Sequence, residues 1–473
     1  DGVSIVIDQT VNAMVKNMHV RLGNIYFLAA HTSPRFNAET NDIFWHKNDV
    51  HKKILKYYSD TPPANFEDLI LENAQYAKKI ISRFVEEHDI DLLIAHNTSH
   101  PYNFITAVAI GLCIEERRAQ GIIWPKVLVW WHDSHFERDR FKNPNHVIKK
   151  FLKYLPGTMI SAIAFINSMQ VEYAKKYFNE YIGDKKYIED FFKYRTNLIP
   201  NSSDIFWDWK ERAWIEEKIV KPPQDKYNDS FFTDVGLQQK VQRKGFELNN
   251  TVILLQHTRI VPRKRIEKTI DLAFKLDKKF KHENNPKCIA ILISGYSGDE
   301  QSPYKEFLKR YYSSKNRKEP ENNVVLVFGE EIILSHRDII VDRKYYKFEE
   351  IPAIVAGQGG IGTYFSEVEG FGNNMLEMIS WGLPVLINKY ETYKRDIEKL
   401  GFDLPATENC EMSDEIVDKA YALLTDIRLR NKTVKHNLEI LDRNLSHKII
   451  ADKMVPFIRE IFTRELFVRE NKK

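Results

Sequence analysis

The amino-acid sequence predicts an α/β protein with two domains, each built on a parallel β-sheet that helices cover. Short runs typical of buried strands alternate with helix-length amphipathic segments, an order that favours parallel strands because each helix crosses back over the sheet. The alternation starts a second time in the middle of the sequence. The 473 residues also exceed what one ordinary hydrophobic core organises, so two domains are the first expectation.

The first set of strand-like runs lies in the first two hundred residues. These runs are rich in β-branched and aromatic side chains, and they are "NIYFLAA", "DLLIAHN", "KVLVWWHD" and "AIAFIN". Between them lie segments whose apolar residues follow the helical period, such as "FEDLILENAQYAKKIISRFVEEH" and "FITAVAIGLCIEERRAQ". We therefore expect a first α/β domain over residues 1–200.

The second set of strand-like runs follows a polar interruption that contains Pro222 and Pro223. Its runs are "TVILLQHTRI", "CIAILISGYS", "NVVLVFGE" and "PVLIN", with helical segments such as "RIEKTIDLAFKLDKKF" between them. We expect a second α/β domain over residues 201–445. Because ligands of open parallel sheets collect at the carboxyl ends of the strands, functional side chains are expected directly after these runs.

Composition narrows the class of protein. The net charge of +4, from 70 basic and 66 acidic side chains, is too small an excess for a dedicated nucleic-acid binder, so no nucleic-acid partner is expected. No apolar run approaches the ~20 residues that a transmembrane helix needs. The sparse, odd set of Cys113, Cys288 and Cys410 favours a reducing compartment, and we expect a cytoplasmic protein. The chain begins with Asp1, so a removed targeting segment remains an alternative.

The segment "EGFGNNMLEMISWGLP" places a carboxylate on each side of a glycine turn and the start of a helix. Gly370 and Gly372 permit a tight turn, and the apolar spacing from Asn373 onward predicts a helix that begins there. A helix N-terminus favours an anionic ligand, since its N–H groups are unpaired and carry partial positive charge. Glu369 and Glu377 can then accept hydrogen bonds from hydroxyl groups of one ligand.

A second segment, "LLQHTRIVPRKRIEKTIDLA", predicts a strand, a basic turn and a helix. Arg259 and Lys264 lie near the end of the strand, where both can reach a diphosphate through charge-assisted hydrogen bonds. The alternative is that Arg263, Lys264 and Arg265 form a solvated basic turn.

Together these segments resemble the retaining glycosyltransferases of family 4, whose signature is "EGFG", a second glutamate and then "G-x-P-V". The resemblance runs from "VILLQHTRIVPRK" through "NKYETYKRDIEKLGFD". It implies the GT-B fold, with two Rossmann-like domains whose parallel sheets face a central cleft. It also implies transfer of a hexose from a nucleotide diphosphate sugar to a hydroxyl acceptor with retention of configuration, without a metal or another cofactor.

The resemblance also implies roles for single residues. Glu377 corresponds to the glutamate that binds the nucleotide ribose, and Glu369 to the one that contacts the donor sugar and serves catalysis. Two departures from the family pattern are Arg265, where glycine is frequent, and Phe365, where many relatives have proline. The donor-binding residues that the resemblance implies are Arg259, Lys264, Gly370, Phe371, Gly372, Asn373 and Glu377.

In the first domain, "KVLVWWHDSHFERDRF" places His132 and Asp133 directly after a predicted strand. The family often has His or His-Asp at this strand end, in contact with the donor hexose, which implies a catalytic role for His132. The H-x-x-H spacing lacks a third partner nearby, so we predict no metal site. Asp133, Arg138 and Arg140 are assigned weakly to the acceptor side, and for the two arginines a surface ion pair is an equal alternative. His100, after another strand, is placed there from position alone, as is Asn103.

Three further segments carry expectations. "DGVS", at the start of the chain, resembles the family's first glycine loop near the diphosphate. The glycines of "GQGGIG", from Gly357 to Gly362, fit a dinucleotide motif formally. A dinucleotide site needs a strand before these glycines and a helix directly after them, and we expect no such order here. The last segment, 446–473, is expected to form helices that pack back on the first domain.

The sequence thus favours a hexosyltransferase with a nucleotide-sugar donor as co-substrate and a sugar, osmolyte or lipid-linked acceptor. Two alternatives stay open. One is a sugar phosphorylase with the same fold, and the other is a carbohydrate-binding protein without catalytic activity. Neither the oligomeric state nor the identity of donor and acceptor follows from the sequence.

Overall fold

A computed structural model of the chain describes residues 2–32, 38–214, 217–296 and 303–464. The chain divides into two compact units. The first comprises Asp1–Asn201 and His447–Lys473, and the second comprises Ser202–Ser446.

The strands fall in two groups along the chain, one in each unit. They are β1 (Phe27–Ala29), β2 (Ala38–Thr40), β3 (Leu92–His96), β4 (Lys126–Trp131), β5 (Ala162–Phe165), β6 (Thr196–Leu198), β7 (Thr251–Gln256), β8 (Cys288–Ile293), β9 (Val324–Phe328), β10 (Ile333–Leu334), β11 (Asp338–Ile340), β12 (Arg343–Lys347), β13 (Ile361–Tyr364), β14 (Val385–Asn388) and β15 (Ala406–Thr407).

Helices connect most of the strands. They are α1 (Gly2–Lys16), α2 (Asp49–Lys56), α3 (Phe66–Glu87), α4 (Phe104–Ala119), α5 (His146–Phe151), α6 (Met169–Tyr181), α7 (Lys185–Tyr194), α8 (Phe231–Asp234), α9 (Leu237–Arg243), α10 (Glu267–His282), α11 (Pro303–Lys318), α12 (Ile351–Gly357), α13 (Asn373–Ser380), α14 (Asp414–Thr425), α15 (Ile427–Leu445) and α16 (His447–Thr463).

The first unit is built on a four-stranded parallel sheet in the order β3-β4-β5-β6. Strands β4 and β5 are buried along their whole length, as continuous apolar runs predict for a parallel sheet with helices on both faces. A separate parallel pair, β1-β2, completes the strands of this unit among the described residues. Helix α16 belongs to this unit, where the carbonyl of Ile461 accepts a hydrogen bond of 2.7 Å from the guanidinium of Arg195.

The second unit is built on a six-stranded parallel sheet in the order β15-β14-β13-β7-β8-β9. The chain moves outward from β7 through β8 to β9, and then returns to the other side of β7 with β13, β14 and β15. Neighbouring strands β7 and β13 therefore lead into connections that leave in opposite directions. At such a switch point the loops part and form a crevice at the carboxyl ends of the strands, which is where ligands bind in open α/β sheets.

The strands predicted from both sets of apolar runs are confirmed, as are the helices between them. One motif behaves as expected: the glycines of "GQGGIG" follow helix α12 and lead into strand β13, the reverse of the order that a dinucleotide site needs. The "DGVS" prediction is wrong for the described residues. Gly2 to Ser4 form the first turn of α1 instead of a loop, and Asp1 lies outside the described residues.

Several elements were not predicted. They include helix α1, the short strands β2, β6 and β15, and a small three-stranded sheet of order β10-β12-β11 in the second unit. None of the three cysteines forms a disulfide, and all are buried. A search of the described residues finds no helix that is both long and apolar enough to cross a membrane.

Candidate functional site

The candidate donor site lies at the switch point of the second unit's sheet. The basic turn after β7 holds Arg259 to Arg265, and the glycine turn after β13 holds Glu369 to Gly372. The two turns touch through the backbone, since the N–H of Glu367 donates to the carbonyl of Arg263 over 2.9 Å. The sheet topology therefore joins two segments that lie about a hundred residues apart in the sequence.

Lys264 and Glu369 form an ion pair at this junction. The Lys264 side chain is 5% exposed and that of Glu369 is 9% exposed, and the Lys264 Nζ contacts Oε1 of the carboxylate. Arg263 reaches the other oxygen, with Nη1 3.1 Å from Oε2. Burial alone opposes ionisation of Glu369, but the charges of Lys264 and Arg263 outweigh it and hold the pKa of the carboxyl at about 2. Glu369 is therefore ionised at neutral pH.

The pKa of Lys264 is lowered to about 8, mainly because burial disfavours the ammonium form, while Glu369 opposes that shift. The lysine still carries its proton at neutral pH. Its Nζ also lies 5.0 Å from the centroid of the Tyr364 ring, which favours the cationic form further. Lys264 is thus a positioned cation whose charge is lost only in alkaline solution.

Arg259 stands at the entrance to the basic turn with its side chain exposed. Within the described part of the chain it has no ion-pair partner. Arg263 and Lys264 pair with the carboxylate of Glu369, and the charge of Arg259 is close enough to lower the pKa of Lys264. Around this pair positive charge therefore exceeds negative charge. A crevice with this excess attracts a polyanion such as a diphosphate.

Arg265 adopts a backbone conformation that glycine usually provides. Its φ of 49° lies in the left-handed region that glycine favours. For another residue this conformation costs about 1–2 kcal/mol. Ion pairs with Glu267 (Nε to Oε1, 2.8 Å) and Glu367 (Nη1 to Oε1, 3.1 Å) hold the arginine there.

The glycine turn needs at least one of its glycines. Gly372 has a φ of 127°, and a Cβ at this position would clash with the hydroxyl of Tyr390. That hydroxyl donates to the carbonyl of Phe371 over 2.5 Å and fixes the turn. Helix α13 then begins at Asn373 as predicted, and its N-cap position, Gly372, offers no side chain to cap the first N–H groups.

Glu377 lies in the second turn of α13, and its side chain is 16% exposed. Its Oε2 lies 3.2 Å from Nε2 of His257, the first residue after β7. His257 was present in the quoted segment but received no role in the sequence analysis. Its position at the carboxyl end of a central strand is the signal that identifies it.

In the first unit, His132 follows β4 as predicted and is nearly buried. Its Nε2 lies 3.1 Å from Nδ1 of His96, the last residue of the neighbouring strand β3. Burial lowers the pKa of His132 to about 3, and burial followed by the charge of His132 lowers the pKa of His96 as well. Both rings are neutral at physiological pH, so one nitrogen of the pair donates and the other accepts. His96 was not identified from the sequence.

Asp133 is held by its surroundings. Its backbone N–H donates to Oδ1 of Asn97 over 3.0 Å, and its carboxylate accepts the N–H of Ser134 over 2.9 Å. The guanidinium of Arg138 donates to Oδ2 of Asp133 through Nε over 2.6 Å. Arg138 therefore forms the ion pair that was one of its two alternatives, with Asp133 as its partner.

The remaining acceptor-side residues differ in accessibility. His100 is buried, and its Nδ1 accepts the backbone N–H of Tyr102 over 3.0 Å, so it caps a short helical turn. Asn103 donates to the carbonyl of Asn97 over 2.9 Å. Arg140 is exposed, with its guanidinium carbon 4.9 Å from the ring centroid of Tyr102. Of these residues, Arg140 is the one that presents a charged group to solvent.

Across the described ranges, no three His, Cys, Asp or Glu side chains are grouped as a metal ion would require. At the candidate donor site the carboxylate of Glu369 is instead paired with Lys264 and Arg263.

No protein-family model matches the chain. Two curated proteins are similar to it, both called mannosylglucosylglycerate synthase. The one from Petrotoga mobilis is 29% identical over 428 residues, which span 85% of this chain and 83% of the relative. The one from Thermotoga maritima is 31% identical over 267 residues, which span 51% of this chain and 56% of the relative.

Solved structures with the same fold share little sequence with the chain. A glycosyltransferase from Rickettsia africae superposes with a TM-score of 0.55 at 12% identity, over 98% of this chain and 95% of the other. Anabaena Alr3699/HepE, solved in complex with UDP and glucose, superposes with a TM-score of 0.51 at 13% identity, over 92% of this chain and 99% of the other. The chain has the GT-B glycosyltransferase fold, and the curated relatives support glycosyltransferase as its class of activity.

Proposed function

We propose that the protein is a retaining, metal-independent hexosyltransferase of family 4 that uses a nucleotide diphosphate sugar as donor. The observation that carries this proposal is the buried pair of Lys264 and Glu369 at the switch point, with Arg263 in contact with Glu369 and the charge of Arg259 acting on Lys264. A carboxylate held by two cations is a fixed hydrogen-bond acceptor for sugar hydroxyls. The surplus positive charge around it suits the diphosphate of the same donor.

The diphosphate gathers negative charge as the glycosidic bond breaks. Arg259, Lys264 and the N-terminus of α13 are the groups in the second unit that stabilise this charge. Preorganised groups of this kind typically contribute about 10²–10³ in rate each. Since Glu369 already orders Lys264, little reorganisation of this lysine is needed when the charge develops. Glu377 accepts from the ribose, and the backbone of Phe371 to Asn373 contacts the sugar or its phosphate.

His132 is assigned to the donor hexose. Its neutral ring can donate or accept a hydrogen bond to a hydroxyl group without adding charge beside a sugar that becomes positive. The hydroxyl of the acceptor attacks the anomeric carbon on the face from which the diphosphate leaves, and it gives its proton to the departing phosphate oxygen. In this sequence of events neither a metal nor a protein nucleophile is required.

For the acceptor we take the names of the two relatives as a starting point. Their product combines mannose, glucose and glyceric acid, so a glucosylated sugar acid is the first acceptor to test, with a mannosyl nucleotide as donor. The exposed guanidinium of Arg140 is suited to the carboxylate of such an acceptor. A neutral sugar or osmolyte and a lipid-linked sugar are the competing classes.

The test is nucleotide release from UDP-, GDP- and ADP-linked glucose and mannose, with glucosylglycerate or a mixed pool of acceptors. We expect one donor to be consumed faster with an acceptor present, and this activity to be lost in Glu369→Ala. NMR of the product reports the anomeric configuration, where inversion would overturn retention. Consumption of no donor, together with phosphate-dependent cleavage of a disaccharide, would replace the transferase with a phosphorylase. Sugar binding without turnover would indicate a carbohydrate-binding protein.

A further inference from the structure

Three side chains from different elements form one hydrogen-bonded chain beside the candidate donor site. The Oγ of Ser294, directly after β8, lies 2.8 Å from Nδ1 of His257. The Nε2 of the same ring lies 3.2 Å from Oε2 of Glu377 on α13. His257 is fully buried and Ser294 nearly so, which means that the chain runs from the interior of the sheet edge to a partly exposed carboxylate.

The partners of the two ring nitrogens of His257 favour one arrangement of protons. A carboxylate oxygen accepts hydrogen bonds, so the 3.2 Å contact is a hydrogen bond when Nε2 of His257 carries the proton. Nδ1 can then accept the proton of the Ser294 hydroxyl over 2.8 Å, a shorter contact than the 3.4 Å from that hydroxyl to the carbonyl of Gln256. Ser294 therefore favours the tautomer of His257 that donates to Glu377, in the way that the partner of one ring nitrogen sets the role of the other.

The plane of the imidazole is fixed as well. The ring of Phe348 stacks on His257 with centroids 3.9 Å apart and an interplanar angle of 15°. A stacked ring can slide but cannot tilt without losing contact with its neighbour. Nε2 consequently points at one oxygen of Glu377, which leaves Oε1 of that carboxylate for another partner.

We propose that His257 is a positioning residue for Glu377: it holds Oε2 so that Oε1 faces the ribose hydroxyls of the donor nucleotide. This inference rests on the proposed function, which assigns the ribose to Glu377. A free glutamate side chain samples several rotamers, and a hydrogen bond to one oxygen removes that freedom before the ligand arrives. Ser294 and Phe348 act through His257, since each constrains its tautomer or its plane.

Two conservative variants separate this role from simple packing. The amide nitrogen of glutamine can take the place of Nε2, whereas the shorter asparagine amide can take only that of Nδ1. We expect His257→Gln to bind the nucleotide within about threefold of the wild-type affinity. We expect His257→Asn to bind about 10-fold or more weakly, because a hydrogen bond to a charged group is lost. The measurement is calorimetric titration of the full chain with UDP, GDP and ADP.

The same substitutions in a Glu377→Ala background distinguish positioning from structure. If His257 acts through Glu377, then His257→Asn has no further effect on nucleotide affinity once the carboxylate is gone. A structural role predicts an equal loss in both backgrounds, parallel to the fall in thermal stability, and that result would overturn the inference. Equal affinities of His257→Gln, His257→Asn and wild type would overturn it too. A wild-type protein that binds none of the three nucleotides would instead refute the proposed function, and this inference with it.

Discussion

The two units carry chemically opposite groups at the carboxyl ends of their central strands. In the second unit the edge is ionised, with Lys264 and Arg263 around the carboxylate of Glu369. In the first unit the edge carries a pair of neutral imidazoles, His96 and His132. A cationic edge suits a leaving group whose negative charge grows, whereas neutral hydrogen-bonding groups suit the hydroxyls of a sugar whose ring becomes positive. In the proposed reaction, the strand ends of the second unit thus serve the diphosphate of the donor, and those of the first unit serve its sugar.

Removal of the positioned cation is expected to have the largest effect. Lys264→Met keeps the length of the side chain but removes its charge, so the leaving diphosphate loses a stabilising group and kcat falls roughly 10²–10³-fold. Steady-state kinetics with the active donor measures this. The matched control is Lys278→Met in α10, the helix that follows the basic turn, where this exposed lysine pairs with Glu319. Turnover of Lys264→Met within a factor of three of the wild type would contradict a role in catalysis.

As the pH falls, the first unit should lose folding stability at a higher pH than the donor site of the second unit does. The pKa values of His51, His100, His132 and His135 lie near 3 to 4 because of burial, whereas an unfolded histidine titrates near 6.5. Burial raises the pKa of Glu137 in this unit to about 7, which acts in the opposite direction, but four histidines outweigh one carboxyl. The unfolded state therefore binds more protons below pH 6.5. Each such histidine costs up to about 1.4 kcal/mol of unfolding free energy per pH unit between pH 6.5 and its folded pKa.

Hydrogen-exchange protection factors at pH 7 and pH 5 check this prediction. We expect peptides from β3 to β5 to lose protection over that interval. The contribution of Glu369, whose pKa is about 2, is fully present above the unfolded value near 4.5, so it does not change between pH 7 and pH 5. If β7, β8 and β13 lost as much protection as β3 to β5 do, the proposed difference in acid sensitivity between the two units would be contradicted.

Mildly alkaline solution should weaken the candidate donor site of the second unit. The pKa of Lys264 is about 8, so the lysine loses its charge as the pH rises above that value. We expect kcat/KM for the donor to fall about tenfold per pH unit on this limb, since kcat/KM reports the ionisation of the free enzyme. In Lys264→Arg the alkaline fall in kcat/KM should move to higher pH, because a guanidinium keeps its proton there. An unchanged alkaline limb in Lys264→Arg would assign it to another group.

The smallest expected effect concerns the acceptor. Arg140→Ala should raise the KM of an anionic acceptor roughly three- to tenfold through the loss of a charge-assisted hydrogen bond. The KM of the donor should stay unchanged. Lys149→Ala, another exposed cation of the same unit, is the matched control. An effect on donor KM, or an equal effect with Lys149→Ala, would remove Arg140 from the acceptor site.

Local patterns predicted the elements of the fold well. The buried strands and the helix that begins at Asn373 follow from apolar spacing and from glycine at the turn, which are properties of adjacent residues. The small sheet β10-β12-β11 was missed because its strands are two to five residues long and mostly lack the continuous apolar runs of the central strands. Short, half-exposed strands of this kind depend on tertiary contacts more than on local preference.

The individual site residues were predicted without their partners. Lys264 and Glu369 were both identified, but their ion pair joins residues 105 positions apart and depends on the strand order of the sheet. His96 and His257 both stand at the carboxyl end of a strand, but their partners, His132 and Glu377, lie on neighbouring elements and could not be predicted from spacing. Spacing along the chain indicates which turns carry functional groups. It does not indicate which of those groups touch.

The most direct test of the account is ³¹P NMR of the nucleoside diphosphate that corresponds to the active donor, titrated with protein. The proposed donor site predicts that both phosphate resonances shift on binding to the wild type and that the shift of the β-phosphate is lost in Lys264→Met. His132→Asn should leave both shifts unchanged, since the neutral edge of the first unit is assigned to the sugar. Resonances that respond to His132→Asn but not to Lys264→Met would contradict the assignment of the two edges.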